Sequence, residues 1–172
     1  VGAVATFFAQ RRGGLGVVCV FACGMFAAIC GSSVATALAM GTILVPAMIG
    51  RGYPPTFALG VTAASGTLGI LIPPSLPLIL YAILADESVP RLFLAGVIPG
   101  LLQAGLFIAW VMIFGRMKTL PPESPMPRDQ FIKVNLAALP ALSLPAIIAI
   151  GIYGGFTTAT EAAVLAAAAA LL

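Results

Sequence analysis

Histidine is absent from this 172-residue chain. A zinc site or an acid–base centre built on imidazole would have to come from elsewhere. Charge is scarce as well. Asp, Glu, Lys and Arg make up 8% of the residues, where a soluble domain carries about 25%. No acid sits deep in an apolar run, so a carboxylate proton relay has no support. The three cysteines, Cys19, Cys23 and Cys30, share one apolar stretch. That pattern reads as small packing residues, not as a disulfide framework. There is no phosphate-cradling loop, which leaves nucleotide-driven chemistry without a basis. The dyad alternation of an outer-membrane barrel is missing too.

What remains is apolar. Hydrophobic residues make up 61% of the chain, and the mean hydropathy is +1.15. The runs are of helix length, so the expected fold class is an all-α integral membrane protein, a multi-span helical bundle in a lipid bilayer. The chain opens on Val1-Gly2-Ala3 and stops on Ala170-Leu171-Leu172. It reads as an internal fragment of a longer protein, and nothing at its start resembles a signal peptide.

Residues 1–9 read as the end of a span, followed by the polar turn Gln10-Arg11-Arg12-Gly13-Gly14. The apolar region 15–49 is too long for one span. Gly31-Ser32-Ser33 divides it into the limbs Leu15–Cys30 and Val34–Ile49. Each limb would be about 24 Å long, short of a hydrocarbon core of about 30 Å. A re-entrant helical hairpin with its tip near mid-membrane fits those lengths. Residues 56–85 read as a broken span, and residues 92–114 as a full span of about 35 Å. The Pro-rich segment 115–135 reads as a cytoplasmic linker. Leu136–Tyr153 reads as a further span, ended by Gly154-Gly155, with a last helix starting near Ala159. The domain reading is therefore a transport region 1–114, the linker 115–135 and a second region opening at 136–172. With the hairpin entering and leaving on one side, every basic residue except Arg91 lies on one face. The positive-inside rule makes that face cytoplasmic.

The strongest motif is Gly66-Thr67-Leu68-Gly69-Ile70-Leu71-Ile72-Pro73-Pro74-Ser75. Proline has no N–H for the carbonyl four residues back. Pro73, Pro74 and Pro77 therefore strip helical partners from the carbonyls of Gly69, Ile70 and Pro73. In a bilayer such backbone survives where protein buries it or where it lines a wet cavity. One proline is usually a kink, and Pro46 and Pro99 are read so. Two prolines with two glycines and a serine point to a binding break. Gly31-Ser32-Ser33-Val34-Ala35-Thr36 supplies hydroxyls and loose backbone of the kind a hard cation such as Na⁺ accepts. The helix starting near Ser33 would aim its positive end into the membrane, toward a carboxylate. Packing by small residues is the plainer reading of this second motif. Thr158-Ala159-Thr160-Glu161 fits a capping box, a structural role. A serine nucleophile at Ser32 or Ser33 lacks a general base, so no enzyme activity is expected.

These two motifs, together with Arg51-Gly52-Tyr53 and Leu94-Ala95-Gly96-Val97-Ile98-Pro99-Gly100, occur in an order and spacing that resembles the large membrane subunit of tripartite ATP-independent periplasmic (TRAP) transporters, the M or DctM-like subunit. The likeness covers essentially the whole chain. The family's usual Thr-Pro-Thr-Glu is Thr158-Ala159-Thr160-Glu161 here. The resemblance implies one half of an inverted-repeat transporter, moving elevator-fashion in the cytoplasmic (inner) membrane of a bacterium or archaeon. It implies import of a small organic acid (a C4-dicarboxylate, sialic acid or a related carboxylate) coupled to Na⁺, with no other cofactor. The implied partners are a periplasmic substrate-binding protein and a small membrane subunit of the DctQ-like type, and no nucleic acid. On this basis the expected cation ligands are Ser32, Ser33, Gly66, Gly69 and Pro73, the last three through backbone oxygens. The expected substrate contacts are Thr36, Thr67, Pro74 and Ser75, with Thr67 and Ser75 either touching substrate or supporting the residues that do. The competing readings are an ion-coupled carboxylate carrier that works without a binding protein, and a channel or scaffold subunit.

Overall fold

A proline-free limb between two glycine-rich turns makes the first helix. In the computed structural model, which describes residues 13–118, 143–144 and 146–170, α1 spans Gly14–Cys30. It stops because Gly31 takes a left-handed φ of 62° and returns its N–H to Ala27 O, the usual glycine termination. Helix α2, Ser33–Gly50, starts at once, with Ser32 as its N-cap. Ser32 Oγ accepts the Ala35 N–H at 3.4 Å, satisfying one of the donors a helix start leaves open. The two predicted limbs are thus two helices joined at Gly31–Ser32, each within two residues of its expected bounds.

Helix α3 spans Pro55–Gly66. Proline suits its first turn, where no N–H is needed. The α-helix gives out already at Gly66, well ahead of the double proline. The chain first tightens into a 3₁₀ turn, Thr67–Ile70, and then runs through a cis Pro73–Pro74 bond. Helix α4, Leu76–Leu84, resumes after Ser75. The break in the 56–85 span is therefore wider than the two prolines. Ahead of the prolines Leu68 O takes both the Leu71 N–H at 3.1 Å and the Ile72 N–H at 2.9 Å, and the stripped Ile70 carbonyl is met by the Ser75 hydroxyl at 2.8 Å.

Helix α5, Val89–Met117, has 29 residues, longer at both ends than the 92–114 expected. Pro90 fits its first turn, and Arg116 in its last turn complements the helix dipole. Among the described residues, α2 and α5 are long and apolar enough to cross a membrane; α2, at 18 residues, is longer than the limb expected to fall short of a bilayer. Further on, residues 146–153 are helical, and Gly155 at φ 71° turns the chain. Helix α6 spans Ala159–Ala170. Its capping box forms as expected. Thr158 N–H donates to Glu161 Oε2 at 2.8 Å, and Glu161 N–H to Thr158 Oγ1 at 3.4 Å. The expected readings at 1–12, 119–142 and 171–172 lie outside the described residues.

Helix α1 is the axis of the assembly. It packs against α2, α3, α5 and the 3₁₀ turn, and Val17, Cys19, Val20, Cys23 and Ala27 are fully enclosed. Cys19 and Cys23 are packing residues there, with Cys19 Sγ 3.4 Å from Thr62 Oγ1. An aromatic stack of Tyr53, Phe57, Trp110 and Phe114 joins α3 to α5, with the Phe57 and Phe114 centroids 4.9 Å apart. Tyr53 Oη accepts the Leu15 N–H at 3.4 Å, covering one open donor of α1. Helices α2 and α5 turn most of their Leu, Ile and Val outward, as lipid-facing helices do.

Candidate functional site

Two interruptions far apart in sequence meet in space. The hairpin tip (Gly31–Ser33) lies directly on the break (Gly66–Ser75). A Cβ on Gly69 would stand 2.7 Å from Ser32 O and 2.9 Å from Ser33 N. One on Gly31 would stand 2.6 Å from Pro74 O. One on Gly66 would strike Ala37 Cβ at 2.7 Å. Real Cβ atoms do not approach backbone that closely, so glycine at these positions permits main chain to touch main chain. The contact is also hydrogen-bonded, with the Leu76 N–H donating to Gly31 O at 3.3 Å.

Of the five expected cation ligands, Ser32, Ser33 and Gly69 are in direct contact here, while Gly66 packs against Ala37 of α2. Pro73 lies nearby but also lines a shallow cleft with Pro74, Phe93, Ile148, Ile152 and Tyr153. The Ser32 carbonyl accepts both the Thr36 hydroxyl at 2.7 Å and the Thr36 N–H at 3.0 Å. Any oxygen Ser32 offers is therefore its Oγ.

The hydroxyls expected at the substrate site are each hydrogen-bonded to backbone carbonyls. Thr36 is fully buried and bonds back to Ser32 O. Ser75 is fully buried and donates to Ile70 O at 2.8 Å. That carbonyl is one of those the prolines strip of a helical partner. Thr67 Oγ1 donates to Ala64 O at 2.6 Å. All three tie down backbone at the tip or the break, since an open carbonyl in an apolar interior is costly. Pro74 has no donor to offer, and its carbonyl faces Gly31.

The field of the site comes from helix ends. Helices α1 and α3 bring C-terminal ends, rich in carbonyl oxygen, to the junction. Helices α2 and α4 bring N-terminal ends, although in α4 the Leu76 N–H is taken by Gly31 O and Pro77 has none. Such a junction offers oxygen ligands to a cation and N–H donors to an anion without any buried charged side chain. Among the described residues no three His, Cys, Asp or Glu side chains converge.

Two polar residues beside the break, Gln103 and Ser65, escaped the sequence reading. Gln103, in the middle of α5, donates from Nε2 to Thr67 Oγ1 at 3.0 Å. Its signal was present as a lone amide in a long apolar helix. Ser65, also unremarked, is fully buried with no hydrogen-bond partner for Oγ among the described residues.

The family profile of the tripartite ATP-independent periplasmic transporter, DctM component, matches residues 1–172. The C4-dicarboxylate TRAP transporter large permease protein DctM of Vibrio cholerae is 46% identical over 156 residues, 91% of this chain and 34% of the relative. The protein of the same name from Pseudomonas aeruginosa is 44% identical over 156 residues, 91% of this chain and 36% of the relative. The ectoine TRAP transporter large permease protein TeaC of Halomonas elongata is 38% identical over 161 residues, 93% of this chain and 38% of the relative. The chain thus spans little more than a third of the length of these curated relatives. With two interrupted helical segments meeting inside an apolar helical assembly, and a profile match along its whole length, the chain belongs to the DctM family of TRAP transporter membrane components.

Proposed function

We propose that this chain forms the first-repeat part of a permease subunit that imports a small carboxylate with Na⁺. The observation that carries the reading is the contact of the hairpin tip with the break, Ser32 against Gly69. It gathers hydroxyl and carbonyl oxygens beside helix N-termini, which suits a cation held next to an anionic group. Helices α1 and α2 act as a re-entrant hairpin, entering and leaving from the cytoplasmic face. Ser32 and Ser33 supply side-chain oxygens, and Gly66, Gly69 and Pro73 supply backbone oxygens. Thr36, Thr67 and Ser75 hold the surrounding backbone in shape. Hairpin and break travel together, elevator-fashion, in the inner membrane. The second repeat of the full-length permease, which opens at 136–172, completes the substrate site.

The substrate class follows the relatives. Two are named for C4-dicarboxylates and one for ectoine, and a C4-dicarboxylate is the substrate we assign. A periplasmic binding protein delivers it, and a small membrane subunit accompanies the permease. The test is uptake of labelled dicarboxylate, sialic acid and ectoine into proteoliposomes holding the full-length complex. Uptake of the dicarboxylate that needs both an inward Na⁺ gradient and the binding protein supports the reading. Uptake that needs no binding protein supports a stand-alone carrier. Uptake indifferent to Na⁺ overturns the coupling.

A further inference from the structure

Helix α5 is apolar from Leu92 to Gly115 except at Gln103. An amide in that position needs a partner, because hydrocarbon offers none. Its Nε2 has one in Thr67 Oγ1, at 3.0 Å. Its Oε1 is buried with no hydrogen-bond partner among the described residues. The side chain is therefore held through one bond, and that bond leads to the break. The same face of α5 carries Gly96 and Gly100. A Cβ on Gly96 would stand 2.7 Å from Leu71 O, and one on Gly100 3.4 Å from Ile72 Cγ1. The two glycines let α5 lie close against the break, and that closeness brings Gln103 within reach of Thr67.

Thr67 is the residue at which α3 ends and the 3₁₀ turn begins. Its hydroxyl accepts from Gln103 and sends its own proton to Ala64 O at 2.6 Å. With donor and acceptor both engaged, the Thr67 side chain is held in one orientation; its N–H, on the peptide unit joining Gly66 to Thr67, is bonded in turn to Ala64 O and Ser65 O. The Gly66 carbonyl belongs to that peptide unit. We propose that Gln103 is a positioning residue for cation binding, acting through Thr67 to set the direction of the Gly66 carbonyl at the start of the break. This rests on the Na⁺-coupled reading given above.

The test is Na⁺-dependent uptake by the full-length complex in proteoliposomes. Gln103→Leu removes the donor at similar volume. It is expected to raise the Na⁺ concentration for half-maximal uptake about three- to ten-fold, the scale of one hydrogen bond, and to leave the half-saturating substrate concentration at saturating Na⁺ in place. Thr67→Val, which removes the hydroxyl from the other side, is expected to give the same shift, and Thr67→Ser to rescue it. The double variant is expected to be no worse than either single one. A bond that only steadies the fold would lower thermal stability and leave the Na⁺ dependence alone, and that result overturns the proposal. Additive shifts overturn it as well. Should Gln103→Leu fail to accumulate, Thr67→Val carries the test, and an unchanged Na⁺ dependence in that variant is decisive against it. Wild-type uptake indifferent to Na⁺ overturns the coupling itself and this proposal with it. Na⁺-dependent wild-type uptake with an unshifted Gln103→Leu overturns this proposal alone.

Discussion

Ser32 and Gly69 touch through their main chains, and the hydrogen on Gly69 is what allows it. A methyl group there would reach within 2.7 Å of Ser32 O and 2.8 Å of Ser32 C. Neither atom can retreat freely. Ser32 caps α2 and its carbonyl is bonded twice to Thr36. Gly69 sits inside the 3₁₀ turn. The junction of tip and break is therefore a rigid contact between two pieces of backbone.

Gly69→Ala is expected to destabilise the full-length complex by about 1–3 kcal/mol, the scale of overpacking a tight interior. Thermal unfolding in detergent measures it. A melting temperature equal to wild type would mean that the tip yields at no cost and that the junction is soft.

Ser33→Ala is expected to raise the Na⁺ concentration needed for uptake without unfolding the protein. Ser33 is the first residue of α2 and not its cap. Ser32→Ala removes the N-cap as well as a cation ligand, and is expected both to raise the Na⁺ requirement and to cost about 1 kcal/mol in stability. Uptake titrated against Na⁺, together with a melting curve for each variant, separates the two. Unchanged Na⁺ dependence in Ser33→Ala removes Ser33 from the site.

A cysteine placed at Ser88, in the turn before α5, is expected to react with an impermeant thiol reagent from the periplasmic side. One placed at Lys118, at the far end of the same helix, is expected to react from the cytoplasmic side. At about 43 Å for 29 residues, α5 is long enough to separate them across the bilayer. The reverse pattern would invert the topology and contradict the placement of basic residues.

Glu161 is held below the usual carboxylate range, first by the Thr158 N–H and then by the Thr158 hydroxyl. Its folded-state pKa is lowered, so the stabilisation is present above the ordinary carboxylate pKa. It is lost as pH falls through the lowered value. The group is fully exposed, so the effect on the melting temperature is expected to be small. In Glu161→Gln the acid-side slope of stability against pH should flatten while stability at neutral pH stays close to wild type. An unchanged slope would mean that the capping box does not report on α6.

The local features were legible because their causes are local. Gly31 ends one helix and Ser32 starts the next through atoms within four residues of each other. The prolines at 73, 74 and 77 undo helical bonding by removing N–H groups a turn away. Thr158 and Glu161 cap a helix start by themselves. The break itself, Gly66–Ser75, begins where its first glycine stands, with a 3₁₀ turn at Thr67–Ile70 before the prolines.

The sequence by itself determined a membrane-embedded helical chain, its limbs and the places where helix gives way. Only the tertiary structure decided that Ser32 lies on Gly69, that the hydroxyls of Thr36, Thr67 and Ser75 point at carbonyls, and that Gln103 reaches the break. The reason lies in the solvent. In water, alternation of polar and apolar residues marks which helix face turns inward. In lipid both faces are apolar, because the hydrocarbon is as apolar as a leucine and drives no sorting between them. The inward face is then marked by missing Cβ atoms and a single amide, whose partners are known only once the helices are packed.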